Sequence, residues 1–540
     1  MQYFPIKEKN RRKKMKRMRK VMALALAVAV IGVSMTGCGK TASTDTKPAA
    51  TDTKSQASDT LIYAQGAEPR GLDPALVDDG ESAKVMINIY DGLLKYNKDS
   101  TKVEASLAKS WDVSPDGLTY TFHLQEGVKF HDGTAFDADA VKFNIDRQLP
   151  PKVTEDMAYA SFVYGSVKDV QVVDKKTVKV NLTAPSTPFL SNLAMVMSAP
   201  IVSPKALTDS KNNVNQAPVG TGPYKFVKWS KDENIILVRN DEYWGTKALT
   251  KNVIFKFIKD NSARVVALNN GEADMIDGID ATVVKQITDA GNKIFKAPGM
   301  NINYMAFNTS KAPFNNAKLR TAVSQSINVP ELVKSLYQGY SEPATSILPN
   351  FMEGYDKSIA QVPYDAAAAA TAIKAAGLTK VHMITYTNPR PYNTATGQSL
   401  AEAIQGYLSK VGITTTIDSF DWTTYKQKVK AGDYDLAFYG WTGDNGDPDN
   451  FLYLLSVDDP TMNIARYKNP EFNKLIAKGV ETPAGPARNA IYTQLEKLAA
   501  ADSAWLPISH AQTLCAYRAN IHDFYYHMTG DTPFVGVSKK

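Results

Sequence analysis

Cysteine and histidine are scarce in this chain of 540 residues. The two cysteines are Cys38 and Cys515, and the six histidines form neither a His-x3-His pair nor a cluster with cysteine. A transition-metal site built by protein alone needs about three or four such ligands at close spacing. The sequence therefore predicts no metal site of this kind, and it predicts that Cys515 is a buried, unbridged side chain.

Motifs of hydrolytic enzymes are also missing. The chain contains no Gly-x-Ser-x-Gly turn around a nucleophilic serine and no His-Glu-x-x-His pair for a catalytic zinc ion. These absences disfavour a surface hydrolase, and the low apolar repeat content disfavours a fibrous adhesin. We therefore expect a protein that is not an enzyme and that carries no cofactor.

No apolar run reaches the roughly 20 residues that a membrane-spanning helix requires. The run that stands out, Val21–Val33, follows a segment with six lysines and four arginines. A basic head, a short apolar core and small residues behind it are typical of a secretory signal. Cys38 directly follows Thr36 and Gly37 and resembles the lipidated cysteine of bacterial lipoproteins. We predict a lipoprotein signal peptide over residues 1–37 and lipid attachment at Cys38.

Most of the positive charge belongs to this leader. The whole chain has a formal net charge of +7, whereas residues 1–37 contain ten basic residues and one acidic residue. The chain that remains after cleavage carries a slight negative charge. The basic surface that nucleic-acid binding requires is therefore not expected.

The composition changes after the predicted leader. Residues 38–60 have no aromatic side chain and are rich in Thr, Ser, Ala, Asp and Lys, so we expect a disordered tether that cannot bury a core. From Leu61 onward, aromatic residues appear and turn residues separate short apolar runs. These 480 residues exceed what one core usually holds, and we expect two or three domains.

Strands and helices alternate in the predicted secondary structure. Alternating apolar residues predict strands at 118–124, 177–182 and 252–258. Helical spacing predicts helices at 364–377 and 397–412, each ended by a glycine. Asp137 is a candidate cap for a further helix, and Ser262 and Gly271 are candidates for the start and stop of another. The fold class is therefore mixed α/β.

Seven segments in order carry a resemblance to a known family. They are RGLDPALVDDG, NIYDGLLKY, LAKSWDVSPDGLTYTFHLQEGVKFHDGTAFDADAVKFNIDR, APVGTGPYKFVKW, RNDEYWG, ARVVALNNGEADMID and NYMAFNTSKAPFNNAKLRTAVSQSIN. Their order and spacing resemble the peptide- and nickel-binding family (family 5) of ABC-transporter solute-binding proteins. Within that family, RPYN at Arg390 and GWTGDNGDPDNF at Gly440 are most similar to the dipeptide-binding proteins.

The resemblance implies a two-lobed fold of the periplasmic-binding-protein type, with an extra inserted domain and a hinge of two strands. The lobes close over a ligand in the cleft between them. The implied boundaries are a first lobe made of residues 61–100, 216–299 and 512–540, an inserted domain at 101–215, and a second lobe at 300–511.

The segment GWTGDNGDPDNF, residues 440–451, is the most acidic motif. It does not fit a calcium loop of the EF-hand type, because Gly446 or Phe451 falls where an oxygen ligand is required. Asp447 and Asp449 suit a turn and a helix start, so we interpret them as turn and capping residues.

The resemblance assigns ligand-binding roles to other residues. Asp444 matches an aspartate that holds the α-ammonium group of a dipeptide, and Arg390 matches an arginine that holds its α-carboxylate. These pairings are chemically coherent, since a zwitterion in a closed cleft needs a partner for each charge and a guanidinium binds a carboxylate bidentately. The further residues expected at the ligand are Trp441, Thr442 and Gly443 in one lobe and Gly80, through its backbone, in the other. Asp79 and Glu81 depart from the family pattern and would favour cationic side chains or face water.

The implied function is that of a receptor. We expect a lipid-anchored, monomeric protein on the outer face of the cell membrane, typical of a Gram-positive bacterium, that binds short peptides and delivers them to permease and ATPase subunits. Dipeptides are the favoured ligands. The alternatives within the same fold are longer oligopeptides, haem, glutathione and a nickel chelate.

Overall fold

The structure, a computed structural model, describes residues 59–540. The predicted signal peptide, the predicted lipid site at Cys38 and nearly all of the predicted tether lie outside the described residues. The first strand begins at Thr60, which is the last residue of the predicted tether. Cys515 is fully buried and unbridged, as the sequence predicts.

The strands are short except for one near the C-terminus. Within residues 59–540, twenty strands follow in chain order as β1 to β20: Thr60–Gln65, Leu94–Tyr96, Val103–Ala105, Ala108–Val113, Thr119–Leu124, Val167–Asp174, Thr177–Leu182, Tyr224–Ser230, Asn234–Arg239, Asn252–Phe257, Met275–Ile276, Lys293–Pro298, Asn301–Phe307, Ser341–Pro343, Lys380–Tyr386, Thr414–Phe420, Leu436–Thr442, Trp505–Tyr517, Ile521–His522 and Ser538–Lys539.

Helices alternate with these strands. The same described residues form fifteen α-helices, α1 to α15 in chain order: Gly80–Met86, Ala138–Asp146, Ala160–Tyr164, Pro188–Asn192, Pro204–Asp209, Asn261–Asn270, Ala281–Asp289, Ala317–Gln325, Val329–Tyr337, Ala366–Ala375, Gly397–Lys410, Trp422–Ala431, Asp449–Leu452, Pro470–Glu481 and Pro486–Asp502. A 3-10 helix, Tyr453–Leu455, follows α13. Among the helices of this part of the chain, none is both long enough and apolar enough to cross a membrane.

Local sequence patterns predicted these elements well. β5, β7 and β10 lie where alternation predicts strands, and in β5 the side chains of Tyr120, Phe122 and Leu124 are buried while the residues between them are half-exposed. Asp137 caps α2 by accepting a hydrogen bond from Ala140 N. The prediction for α6 is wrong at its start, since Asp260 and not Ser262 is the cap, although the helix stops at Gly271 as expected.

One twelve-stranded sheet passes through both lobes of the fold, and β18 is its shared strand. The first half of β18 pairs with β13, where Asn303 lies opposite Ser509. The second half pairs with β12, where Pro298 lies opposite Gln512. The chain thus crosses between the lobes twice, once between β12 and β13 and once within β18, which gives the two-strand hinge.

The crossing is held by the Asn301 side chain together with one backbone hydrogen bond, which Gly299 N donates to the Ala511 carbonyl at 3.2 Å. Asn301 Nδ2 donates to the Ala511 carbonyl at 2.9 Å, and Ala511 N donates to Asn301 Oδ1 at 2.8 Å. At Gly299 a Cβ atom would lie 2.5 Å from the same carbonyl oxygen, so a side chain would not fit there. The two crossing segments therefore approach each other closely while remaining outside the regular pairing.

Separate cores stabilise the parts of the fold. The second lobe has a core drawn from Met300 to Ile508. The first lobe buries side chains from its early strands, its middle segment and the C-terminal segment, between Leu61 and Val537. The extra domain has a four-stranded antiparallel sheet in the order β4-β5-β7-β6, covered by α2, with a core between Leu93 and Ile201.

Candidate functional site

A cavity of about 470 Å³ lies between the lobes beside the hinge. Pockets for small molecules typically span roughly 300–1,000 Å³. Three parts of the chain form most of its wall: the start of α1, the loop after β17 and the C-terminal segment 526–531. Gly299, Met300 and Asn301 at the hinge also line it. The cavity is therefore placed where relative motion of the lobes would open or close it.

The predicted site residues Gly80, Glu81, Thr442, Gly443 and Asp444 all line this cavity. The first two come from one lobe and the other three from the opposite lobe, so the fold brings together residues more than 300 positions apart. The space around Gly80 is open, because a Cβ atom there would have no neighbour within 4 Å.

The loop after β17 is fixed by Asn450. Asn450 Oδ1 accepts hydrogen bonds from Trp441 Nε1 at 2.9 Å and from Asp444 N at 3.0 Å. Its amide nitrogen donates to Asp444 Oδ2 at 3.1 Å. Trp441 itself is half-buried and packs edge-on against Tyr453, with ring centroids 6.5 Å apart. Asn450 therefore holds the backbone and the carboxylate of Asp444 together.

Asp444 receives a further hydrogen bond from the extra domain, because Tyr159 Oη donates to Asp444 Oδ1 at 2.6 Å. Burial raises the pKa of the Asp444 carboxyl above its ordinary value, and the hydrogen bonds from Tyr159 and Asn450 oppose that shift. Within residues 59–540, no basic side chain lies within 4.0 Å of this carboxylate. A ligand cation in the cavity would supply the missing positive charge.

Asp447 and Asp449 have roles different from that of Asp444. Asp447 accepts a hydrogen bond from Asp449 N at 3.0 Å, as expected of a turn residue, but it also forms a buried bidentate ion pair with Arg488, with both N–O distances at 2.8 Å. The prediction that Asp449 caps the helix is wrong: it is the first residue of α13, and the cap position, Pro448, has no side-chain bond. Burial and the neighbouring Asp447 raise the pKa of Asp449 to about 7.

Arg390 lies next to the cavity without forming part of its wall. Its neighbour Pro391 lines the cavity, whereas the Arg390 guanidinium stacks on Trp422 with its carbon 3.9 Å from the ring centroid. Arg390 Nε has no hydrogen-bond partner in the described chain, and the backbone pairs with Asn393 in both directions at 2.9 Å. The guanidinium is therefore held on an aromatic face with donors to spare.

The opposite wall contains a buried charge cluster. Lys84 Nζ bonds Glu81 at 3.1 Å and forms an ion pair with Asp277. Burial opposes the positive charge of Lys84, but Asp277 and Glu81 raise its pKa well above its ordinary value. Burial likewise raises the pKa of Glu81, against the effect of Lys84. Asp79 is half-buried and is not part of the cavity wall, and its side chain caps α1 by accepting hydrogen bonds from Ser82 N and Ser82 Oγ.

Part of the wall was not predicted from the sequence. The C-terminal segment contributes Tyr526, Met528, Thr529, Gly530 and Asp531, and methionines line the cavity at 195, 197, 300 and 528. Flexible, polarisable methionine side chains adapt to ligands of different shape. Hydrophobic periodicity gives no signal for these residues, since they lie outside the helices and strands and their position depends on how the chain folds back.

Metal binding has no support in the described residues. No group of three or more His, Cys, Asp or Glu side chains within residues 59–540 has the arrangement of a metal site. In the acidic loop, Asp447 is committed to Arg488, and Asp444 is held by neutral donors. The loop instead holds one carboxylate, that of Asp444, at the cavity wall.

Comparisons with known proteins agree with this geometry. The family model described as bacterial extracellular solute-binding proteins, family 5 Middle, matches residues 102–463. The chain is 30% identical to haem-binding protein A of Haemophilus influenzae, over 93% of this chain and 96% of that protein. It is also 30% identical to the dipeptide-binding protein of Escherichia coli, over 88% of this chain and 94% of that protein.

A solved structure supports the same assignment. The periplasmic binding protein DppA of Helicobacter pylori, in complex with the peptide STSA, is 32% identical to this chain, covers 89% of it and 98% of its own chain, and superimposes with a TM-score of 0.72. The two-lobed fold, the cavity at the hinge and these matches agree. This chain belongs to the bacterial extracellular solute-binding proteins of family 5, which are binding proteins of ABC transporters and not enzymes.

Proposed function

We propose that this protein is a lipid-anchored receptor for short peptides, with dipeptides favoured, and that the ligand binds in the cavity beside the hinge. Proteins of this family act outside the cytoplasm and deliver their solute to an ABC permease. The observation that carries the proposal is the Asp444 carboxylate, which lines the cavity, is oriented by Tyr159 and Asn450, and has no basic partner in the described chain.

The two ends of a peptide supply complementary charges. Asp444 holds the α-ammonium group, and Arg390, one residue before the wall residue Pro391, holds the α-carboxylate. Each charge loses hydration in a closed cleft, which is costly unless it is paired and hydrogen-bonded. A fixed anion and a fixed cation select ligands by the distance between their termini. Longer peptides leave one terminus unpaired.

Closure of the lobes is the second part of the mechanism. The loop after Asp444 contacts the extra domain at two further points: Asn445 Nδ2 donates to Asn192 Oδ1 at 2.5 Å, and Thr101 Oγ1 donates to the Gly446 carbonyl at 3.3 Å. A ligand that touches both lobes stabilises this arrangement over an open one. The measured affinity therefore includes the free energy of closure.

The proposed anchor rests on the sequence before the described residues. A basic head, the apolar run Val21–Val33 and Cys38 after Thr36 and Gly37 support a diacylglyceryl-modified N-terminus. The residues between Cys38 and the first strand, which begins at Thr60, then serve as the tether. This arrangement suits a monomeric receptor on the outer face of a cell with a single membrane, typical of Gram-positive bacteria.

Calorimetric titration of ligand-free protein with dialanine and then trialanine tests the proposal. We expect dialanine to bind and trialanine to bind at least about tenfold more weakly, since a third residue separates the termini beyond the reach of Asp444 and Arg390. Equal binding of both peptides would indicate a receptor for longer oligopeptides. Binding of neither would overturn peptide binding and leave haem, glutathione and a nickel chelate to be titrated.

A further inference from the structure

The cavity carries more negative charge than one ammonium group would neutralise. Its charged lining residues are Asp78, Glu81, Lys84, Asp444 and Asp531. Asp78 pairs with Arg70, and Lys84 is shared by Asp277 and Glu81. Of the wall carboxylates, Asp444 and Asp531 are the two without a basic side chain within 4.0 Å among residues 59–540. The proposed ammonium contact accounts for Asp444 alone.

Asp531 is a buried carboxylate with few hydrogen bonds. Only 8% of the residue is exposed, and Asp531 Oδ2 accepts one side-chain hydrogen bond, from Thr529 Oγ1 at 2.7 Å. The nearby His527 ring is occupied, with Nδ1 2.6 Å from Thr529 Oγ1 and Nε2 3.0 Å from the Asn97 carbonyl. A carboxylate buried in this way is costly unless a cation or several donors approach it. Asp531 lines the cavity, where a ligand cation could supply this charge.

A second cavity adjoins the first one, and Asp531 belongs to the walls of both. It has a volume of about 310 Å³ and shares four wall residues with the first cavity: Tyr96, Met195, Val196 and Asp531. Apolar side chains such as Met86 and Leu94 line it, while its two lysines, Lys95 and Lys98, are exposed. A long apolar stem with a charged tip matches such a space, since lysine and arginine bury their methylene groups and keep the charge near polar partners.

We propose that this receptor prefers dipeptides with a lysine or arginine side chain, and that Asp531 is the residue that selects the positive charge. This inference rests on the proposed peptide-binding function. Asp444 takes the α-ammonium group, the side-chain stem packs on Tyr96 and Met195, and the side-chain cation pairs with Asp531. Dipeptides with an acidic side chain should be disfavoured, because Asp531 and Glu81 in the wall would repel the carboxylate of that side chain.

Calorimetric titration of the full protein with Ala-Ala, Ala-Glu, Ala-Lys and Lys-Ala tests the inference. We expect the tighter of the two lysine peptides to bind at least about tenfold more tightly than Ala-Ala, and Ala-Glu to bind most weakly. Asp531→Asn should reduce the ratio of lysine-peptide to Ala-Ala affinity to near one, whereas Asp531→Glu, which keeps the charge, should retain a preference for lysine. Asp523→Asn, at an exposed position eight residues earlier, is the matched control and should leave the ratio unchanged.

The outcomes separate the two proposals. Binding of Ala-Ala as tight as that of both lysine peptides would overturn the charge preference and leave peptide binding intact. Binding of none of the four peptides would overturn both. An equal loss of affinity for every peptide in Asp531→Asn would assign Asp531 a purely structural role. If that variant does not fold, the comparison of peptides on the unmodified protein decides the question.

Discussion

The hydroxyl group of Tyr159 donates a 2.6 Å hydrogen bond to Asp444 Oδ1, across 285 positions of the sequence. Tyr159 directly precedes α3 in the extra domain, whereas Asp444 follows β17 of the second lobe. The contact therefore joins the extra domain to the carboxylate that we propose as the anchor of the ligand. Separation of the lobes would remove one of the two side chains that orient this carboxylate. Lobe closure and ligand binding thus depend on the same group.

Asp444→Asn is expected to weaken dialanine binding by about 2 kcal/mol or more, roughly 30-fold, because the ligand's buried ammonium group would lose its charged partner. The fold should remain intact, since an asparagine keeps a hydrogen-bonding side chain for Tyr159. Calorimetric titration measures the affinity, and thermal unfolding checks the fold. The control is Asp458→Asn, an exposed position beyond α13. Unchanged affinity in Asp444→Asn would remove Asp444 from the binding site.

Arg390→Ala is expected to weaken binding of dialanine. Its affinity for dialanine amide, which lacks the carboxylate that Arg390 would pair with, should stay close to that of the unmodified protein. The comparison isolates the ligand contact from any structural effect of losing the stacking on Trp422. Lys410→Ala, which removes an exposed cation lying 5.2 Å from the ring centroid of Tyr407, is the matched control. An equal loss of affinity for both ligands would show that the carboxylate is bound elsewhere.

Gly446→Ala is expected to weaken ligand binding by opposing closure. A Cβ atom at Gly446 would lie 2.0 Å from the Cβ of Thr101 on the facing surface, far below any normal contact. Thr101→Gly removes the obstructing atoms, so the double variant should recover much of the lost affinity. Small-angle X-ray scattering would report whether ligand still compacts each variant. Gly406→Ala, where a Cβ has no neighbour within 4 Å, is the control; full affinity in Gly446→Ala would contradict the prediction.

Asp449→Asn is expected to stabilise the protein at alkaline pH. The pKa of Asp449 is raised to about 7 in the folded chain, first by burial and then by Asp447, against an ordinary value of about 3.9. The folded state therefore binds the proton more tightly, and stability falls as the pH rises from about 4 to about 7. Differential scanning calorimetry at pH 5 and pH 8 gives the fall in Tm between these two pH values, and this fall should be smaller in Asp449→Asn than in the unmodified protein. An identical loss in the two proteins would be the contrary result.

Local patterns predicted local structure, with one instructive failure. The alternation in β5 and the cap at Asp137 are readable because each depends only on neighbouring residues. At α6, Asp260, Asn261 and Ser262 are all acceptable caps, and the sequence does not show that the helix is capped two residues before Ser262. Tertiary contacts are equally hard to predict from the sequence. Nothing near Asp447 in the chain indicates that it forms a bidentate ion pair with Arg488.

The sequence by itself determined the α/β class, the family and five residues of the cavity wall, because ordered segments and short-range periodicity are properties of the chain. The tertiary structure alone decided which residues complete the site. Asp531, Tyr159 and the methionines reach the cavity from distant segments, and Arg390 stacks on Trp422 beside it. These placements depend on how β18 crosses the hinge and how the C-terminal segment folds back. Contacts across hundreds of residues leave no local pattern from which they could be read.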